Sequence, residues 1–235
     1  MERLIQLLAQ FMAVIVVISF HEFAHAFVAY KCGDSTAKNS GRMTLNPIKH
    51  FDPFGILMFT LCGFGWAKPV PVNPYNFREY RKGSLWTSAA GVITNYCMAV
   101  LFYPLFVAMA LYVYPKMDNV NAANFVVVLF NALFVCSLSF CVFNLLPFYP
   151  LDGFRIVDAL DKKHGKVYWF LKKYGSYILL GLVLLGFIAD KIPRLEDLDI
   201  LGRVLNFLVR LIGKPIVALW NWIFGLFGVY VPFVM

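Results

Sequence analysis

Long uncharged stretches alternate with short basic segments along the chain. No charged residue occurs from Leu4 to Phe20, from Gly83 to Pro115 or from Asn119 to Leu151, and the shorter stretch from Tyr174 to Ala189 is also strongly apolar. A bilayer core about 30 Å thick is crossed by roughly 20 apolar residues in a helix. The pattern therefore predicts membrane-spanning helices over about residues 4–30, 85–114, 122–146 and 174–190.

The last part of the chain, residues 191–235, has a different pattern. Residues 198–213 are amphipathic, with two arginines seven positions apart on one helical face, as in a helix at the membrane interface. The uncharged stretch from Pro215 to Met235 fits either a further span or an interfacial helix, and both interpretations stay open. We therefore expect a membrane-embedded core over residues 1–190 and a C-terminal membrane-associated segment over residues 191–235.

A short uncharged segment from Pro53 to Ala67 lies between two basic regions. Lysine and arginine collect in cytoplasmic loops, so both ends of this segment are expected on the cytoplasmic side. We predict that it dips into the membrane and returns. The next residues, Gly65 to Pro74, include three prolines and favour an extended backbone over a helix.

Composition supports the same fold class. Of the 235 residues, 60% are hydrophobic and only 14% are charged, whereas a soluble domain carries about 25% charged residues. The formal net charge of +8 fits basic cytoplasmic loops, and no soluble basic face that would bind nucleic acid is evident. We therefore predict an all-α polytopic membrane protein with about 4–6 transmembrane helices and a re-entrant or extended segment near residues 53–74.

A metal-binding motif interrupts the first apolar helix. Residues 21–25 read His21-Glu22-Phe23-Ala24-His25, and positions four apart share one helical face, so both imidazoles can reach one metal ion. Ionisable groups within an apolar helix are costly in lipid and usually functional. Glu22 can act as a general base on a water molecule at the metal. The alternative is a helix end where these side chains reach the membrane interface.

A catalytic zinc ion needs three protein ligands and one open position, so a third ligand is required. His50 and His164 lie in basic loops and are better explained as solvated residues. Asp152 ends an uncharged stretch just after two prolines that break a helix, so its carboxylate can point into a cavity. It could also cap a following helix. Asp52 remains a rival ligand.

Taken together, these motifs resemble the site-2 protease family of intramembrane metalloproteases, in its compact bacterial-type branch without PDZ or CBS domains. The resemblance rests on the His-Glu motif and on the stretch from Asn144 to Gly153, and it covers about residues 10–160. Three further segments fit the family, namely Gly41 to Pro47, Gly65 to Pro74 and Ala89 to Asn95. Val92 stands where the family usually has proline.

The resemblance implies that His21, His25 and Asp152 bind one zinc ion and that Glu22 is the catalytic base. It also implies that Asn95 and Asn144 hold the substrate backbone or the oxyanion, since amide donors stabilise developing negative charge. Hydrogen bonding between helices would explain the same two asparagines.

The expected reaction is hydrolysis of peptide bonds in or near a transmembrane segment by zinc-activated water. The expected partners are a membrane protein or transmembrane peptide and the lipid bilayer. An extended Gly65–Pro74 segment could pair with an unwound substrate, or it could be a packed interfacial loop. The resemblance places the protein in a bacterial cytoplasmic membrane, with its active site nearer the cytoplasmic side.

Two other classes of function remain. One is a non-catalytic zinc-binding membrane protein, against which the presence of Glu22 argues because a binding site needs only ligands. The other is a scaffold that uses its basic loops at the membrane surface. The oligomeric state is left open.

Overall fold

A computed structural model describes residues 1–55, 65–161 and 163–229. Helices dominate these ranges, and the described residues contain no β-strand beyond a single antiparallel bridge between Phe51 and Ala67. The helices are α1 (Glu2–Cys32), α2 (Thr36–Asn39), α3 (Tyr80–Ala108), α4 (Val120–Leu145), α5 (Asp152–Leu160), α6 (Lys166–Lys191) and α7 (Ile200–Leu226).

Within the described residues, four helices are long and apolar enough to cross a membrane. They are α1, α3 with its continuation to Lys116, α4 and α6. The predicted all-α membrane fold is thereby confirmed. The 27-residue α7 does not belong to this set, and its sequence carries Arg203, Arg210 and Lys214.

Helices α1, α3 and α4 form the central bundle. Ala13 and Val17 of α1 are completely buried against Met98 of α3 and against Ala132 and Leu133 of α4. Small alanines allow the helix backbones to approach closely, which favours helix association in lipid. This packing fixes α1, and hence the His-Glu motif near its C-terminal end.

Helix α7 packs against the outer side of the bundle. Ile216 and Val217 are buried in a cluster with residues of α3 and α4. Two hydrogen bonds add to this contact: Trp220 Nε1 donates to the Val100 carbonyl at 2.9 Å, and the Tyr103 hydroxyl donates to Asn221 Oδ1 at 3.1 Å. The apolar stretch from residue 215 therefore continues a helix that packs on α3, while residues 230–235 lie outside the described ranges.

Helix α6 stands apart from the central bundle. Only 6% of its most apolar window is buried within the protein, against 39% for α1 and for α4. In its N-terminal half α6 contacts the loop before α5, where Ser176 Oγ donates to the Tyr149 carbonyl at 3.1 Å. A cavity of about 1170 Å³ is lined by residues of α1, α4 and α6.

The loop after α1 is organised around a buried carboxylate. Asp34 is fully buried and accepts hydrogen bonds from the Asn73 backbone N–H at 2.7 Å, from Asn76 Nδ2 at 2.9 Å and from the Thr36 N–H at 3.0 Å. Gly33, with a φ of 116°, allows the chain to turn there. Asp34 thus joins the end of α1 to residues 73–76.

The segment from Gly65 to Asn73 runs without helical structure, as predicted. Its start is held by the bridge to Phe51 and by the Lys68 N–H, which donates to the His50 carbonyl at 2.9 Å. The predicted membrane dip falls largely on residues 56–64, which lie outside the described residues.

We predict that Asp34→Ala destabilises the protein by about 3 kcal/mol, because hydrogen bonds to a charged acceptor contribute about 1.5–3 kcal/mol each and their donors would be left buried. The measurement is denaturant or thermal unfolding in detergent micelles. Asp190→Ala is the control, since Asp190 is exposed and pairs with its neighbour Lys191. Equal stability of the two variants would contradict the prediction.

The same carboxylate predicts a pH dependence. Burial raises the pKa of Asp34, but hydrogen bonds from Thr36, Asn76 and Asn73 lower it by more than burial raises it. The pKa of Asp34 therefore lies below its ordinary value. The resulting stabilisation is present above about pH 4, the unfolded value, and is lost as pH falls through the lower folded value. When the free energy of unfolding is measured as a function of pH, we expect Asp34→Asn to lose this decrease of stability at acidic pH. An unchanged decrease would show that Asp34 is not the group responsible.

Candidate metal centre

Helix α1 places two imidazoles on one buried face. His21 and His25 are one turn apart, and their side chains face α3 rather than the outside. Both residues are less than 10% exposed, although they lie in a helix that is otherwise apolar for most of its length. The spacing of the motif alone produces this arrangement, because residues i and i+4 project from the same side of a helix.

The third group comes from the start of α5. Asp152 is the first residue of this helix, Leu151 occupies the capping position, and no side chain caps the helix, so the N-cap interpretation of Asp152 is wrong. Gly153 lets this turn lie against the end of α4, since a Cβ there would fall 2.3 Å from the Leu145 carbonyl oxygen. The carboxylate of Asp152 consequently points inward and is buried.

Three ligand atoms meet at the corners of a nearly equilateral triangle. His21 Nε2 and His25 Nε2 lie 3.0 Å apart, and Asp152 Oδ2 lies 3.3 Å from the first and 3.1 Å from the second. Ligands about 2.0–2.1 Å from a tetrahedral zinc ion are separated by about 3.3 Å. The observed triangle therefore has about the size of one face of a tetrahedral metal site.

The hydrogen bond of His25 makes its Nε2 the free ligand atom of the neutral ring. His25 Nδ1 lies 2.7 Å from the backbone carbonyl of Thr87, which can only accept, so Nδ1 carries the proton and donates it. In the neutral ring Nε2 is then an unprotonated acceptor that faces Asp152 Oδ2, a buried oxygen without a hydrogen-bond donor. Acceptors that converge in a buried site are stable together when a cation lies between them.

Asn95 of α3 contacts the Nδ1 side of the His21 ring, away from the Nε2 atom in the triangle. It is fully buried, its amide lies 3.0 Å from His21 Nδ1, and Asn95 Oδ1 is buried without a partner. When Nε2 of His21 holds a metal ion, Nδ1 carries the proton, and a half-turn of the amide gives that proton its oxygen acceptor. The geometry thus places Asn95 in a hydrogen bond between helices that orients His21.

Glu22 lies beside the triangle on the cavity wall. Its side chain is largely buried, and Oε2 accepts the backbone N–H of Val70 at 2.8 Å. This contact brings the extended segment directly against the His-Glu motif, although 48 residues separate the two in sequence.

Asn144 is half-buried near the end of α4 and lines the same cavity. Its Nδ2 donates to the Phe140 carbonyl one turn earlier, at 3.1 Å. Unlike Asn95, it borders the cavity.

The rival ligands lie elsewhere. Asp52 accepts the Gly55 N–H at 2.9 Å, and His164 pairs with Asp158 at 3.2 Å. His50 is completely buried, with Nε2 at 2.7 Å from the Thr44 carbonyl, so its interpretation as a solvated residue is wrong. Among the described residues, one group of three or more His, Cys, Asp or Glu side chains is close enough to hold a metal ion, and it consists of His21, His25 and Asp152.

Gly91 is a site residue whose role the sequence did not reveal. A Cβ at this position would lie 2.4 Å from His21 Cε1 and 2.5 Å from His25 Nε2, so α3 can lie against both rings only because residue 91 has no side chain. Thr87, whose carbonyl orients His25, lies one turn earlier on the same face of α3. A glycine within an apolar helix indicates that another group packs closely against the helix backbone. The sequence does not indicate that this group is the pair of imidazoles.

Comparison with known proteins agrees with this site. The family model described as Peptidase family M50 matches residues 9–186. The chain belongs to peptidase family M50. With four apolar helices of membrane-spanning length in its described part, this M50 protein is an integral membrane protein. No solved structure gives a significant match to the chain.

Three relatives of this M50 protein are provisionally named zinc metalloproteases. YwhC of Bacillus subtilis (strain 168) is 42% identical over 189 residues, covering 73% of this chain and 85% of the relative. Rip2 of Mycolicibacterium smegmatis (strain ATCC 700084 / mc(2)155) is 28% identical, covering 71% of this chain and 63% of the relative. Rip2 of Mycobacterium tuberculosis (strain ATCC 25618 / H37Rv) is 30% identical, covering 61% of this chain and 54% of the relative.

We predict that Gly91→Ala weakens divalent metal binding at least about tenfold, as displacement of metal-ligating histidines does. The added methyl group would push one imidazole out of the triangle. Visible absorption of bound Co²⁺ in the purified protein reports both affinity and coordination. Gly181→Ala in α6 is the matched control, because a Cβ there meets nothing within 4 Å. Equal Co²⁺ affinity of the two variants would contradict the described packing.

Proposed function

We propose that this M50 protein is an intramembrane zinc metalloprotease that hydrolyses peptide bonds in or near transmembrane segments of substrate proteins. The observation that carries the proposal is the triangle of His21, His25 and Asp152, buried in a membrane-spanning bundle and bordered by Glu22 and a cavity. Membership of the family and the names of the relatives support the same chemistry.

The three ligand atoms would hold one zinc ion. Two neutral imidazoles and one carboxylate form a donor set that zinc prefers in catalytic sites. When bound, zinc acts as a Lewis acid that polarises a carbonyl group and activates water at neutral pH. The Thr87 carbonyl accepts the proton on His25 Nδ1. Asn95 would accept the proton on His21 Nδ1 once its amide is turned so that Oδ1 faces the ring, and both contacts would direct Nε2 toward the ion.

Glu22 is the proposed general base. Its carboxylate takes a proton from the attacking water and then transfers it to the nitrogen of the leaving amine. Asn144, at the cavity wall, is proposed to donate its amide hydrogens to the substrate backbone or to the oxyanion. Because Asn95 is completely buried and lies against His21 Nδ1, we assign it to the positioning of His21 in preference to substrate contact.

The cavity suits a transmembrane peptide. Most of its lining is apolar, including Ile15 and Ile18 of α1, Phe143 of α4 and Leu182 of α6. Since α6 contacts the central bundle little, the side between α6 and α1 is the proposed entry from the lipid bilayer. The extended segment after Gly65 borders the cavity and offers backbone groups for pairing with an unwound substrate.

The basic loops support an orientation in a bacterial cytoplasmic membrane. Lysines and arginines follow α1 and flank the extended segment, which supports a cytoplasmic location for that side. His25 precedes the end of α1 by seven residues, or about 10 Å along a helix. We therefore propose an active site nearer the cytoplasmic side.

Glu22→Gln tests hydrolysis against the alternative of a non-catalytic zinc-binding membrane protein. We expect cleavage of a membrane-peptide substrate by the purified variant to fall by about 10²–10⁴-fold, because the general base is lost. Zinc content, measured by plasma mass spectrometry, should remain that of the wild type. Glu79→Gln is the control, since Glu79 is exposed and pairs with Lys82. Retained zinc with undiminished cleavage would refute the hydrolytic role of Glu22.

Substitutions of Asn95 and Asn144 are expected to affect different properties of the protein. Asn95→Leu should lower zinc affinity about 10–100-fold, the usual effect of losing a hydrogen-bond partner of a metal-ligating histidine. Asn144→Leu should keep the wild-type zinc affinity and lower the cleavage rate. Competition with a zinc chelator and a cleavage assay at saturating zinc separate these effects. Equal zinc affinities for the two variants would overturn the assignment of Asn95.

A further inference from the structure

One peptide group joins the extended segment to Glu22. In the sequence Pro69-Val70-Pro71 the two prolines have no backbone N–H, so Val70 provides the single donor, and it donates to Glu22 Oε2 at 2.8 Å. The Val70 side chain is buried in a small cluster with Ala26 of α1. The prolines also restrict the backbone on both sides of Val70, which keeps this N–H directed at the carboxylate.

A buried arginine holds the other end of the same peptide group. Arg42 Nη2 donates to the Lys68 carbonyl at 2.7 Å and to the Pro69 carbonyl at 3.3 Å, and the arginine is only 8% exposed. The Pro69 carbonyl and the Val70 N–H belong to one planar amide. A positive charge at its oxygen polarises this amide and strengthens the hydrogen bond that its N–H donates to Glu22.

We propose that Arg42 is a positioning residue for the general base and acts on Glu22 through the Pro69–Val70 peptide group. The proposal rests on the proposed function of Glu22. The N–H of Val70 fixes one carboxylate oxygen and so restrains rotation of the carboxylate. The other oxygen is then presented to the attacking water in a single orientation. Misplacement of a catalytic group by about 1 Å can cost about 100-fold in rate.

The first test measures kcat, KM and zinc content of the purified full-length protein with a membrane-peptide substrate. We expect Arg42→Gln to lower kcat about 10–100-fold with KM within about twofold and zinc content unchanged. Arg42→Lys keeps the positive charge and should recover part of kcat. Arg81→Gln is the matched control, because Arg81 is exposed on the surface. Loss of zinc, or a rise in KM with kcat unchanged, would overturn the positioning role.

A double-mutant cycle tests whether Arg42 acts through this amide. Val70→Pro removes the backbone N–H. Val70→Ala keeps the N–H and removes most of the side chain, so kcat should fall in the proline variant alone. Arg42→Gln should lower kcat little further in the Val70→Pro background, since coupled groups are not additive. If the two losses multiply, the residues act independently and the proposal fails. If Val70→Pro does not fold, the kcat and KM of the Arg42 variants decide.

The outcome for Glu22 separates this proposal from the proposed function. If Glu22→Gln cleaves as well as the wild type, hydrolysis by Glu22 fails, and the positioning of Glu22 fails with it. If Glu22→Gln is inactive while Arg42→Gln keeps the wild-type kcat, the protease function stands and only the role of Arg42 is overturned.

Discussion

Three electron-pair donors converge at one buried point, and the rest of the structure is arranged around them. When both imidazoles are neutral and carry their proton on Nδ1, the lone pairs of His21 Nε2, His25 Nε2 and Asp152 Oδ2 face one another at separations of 3.0–3.3 Å and repel in a medium of low dielectric constant. Such a cluster is costly to bury unless a metal ion compensates it. The helices must therefore impose the arrangement, and a bound ion would stabilise both the cluster and the fold.

The bundle supplies this constraint by close packing. Alanines at the contacts of α1 and α4 let their backbones approach, and Gly91 lets α3 lie directly on the imidazoles. α3 then provides a backbone carbonyl and the Asn95 amide behind the rings, so their orientation is set by helix packing. The opposite side of the site faces the cavity, which α6 also lines. A rigid side that holds the ligands and an open side toward a cavity would suit the peptide hydrolysis proposed above.

Features encoded locally could be predicted from the sequence. Uncharged stretches predicted the four spans, and the spacing of His21 and His25 placed both rings on one face. Asp152 lies 127 positions beyond His25, and residue patterns alone left it in competition with Asp52. Contacts between distant segments were not accessible, because neither the Val70 N–H nor the Arg42 guanidinium has a local signature of its partner. The role of Asn95 depended on which side of His21 it occupies, which only packing determines.

X-ray absorption at the zinc edge of the purified, zinc-loaded protein tests the central claim most directly, because it reports ligand type, number and distance. The account predicts a single site of about four nitrogen or oxygen ligands at about 2.0–2.2 Å, three of them from the protein, with an imidazole signature that diminishes in His25→Ala. Sulfur ligands at about 2.3 Å, or a spectrum unaffected by substitution of both His25 and Asp152, would contradict it.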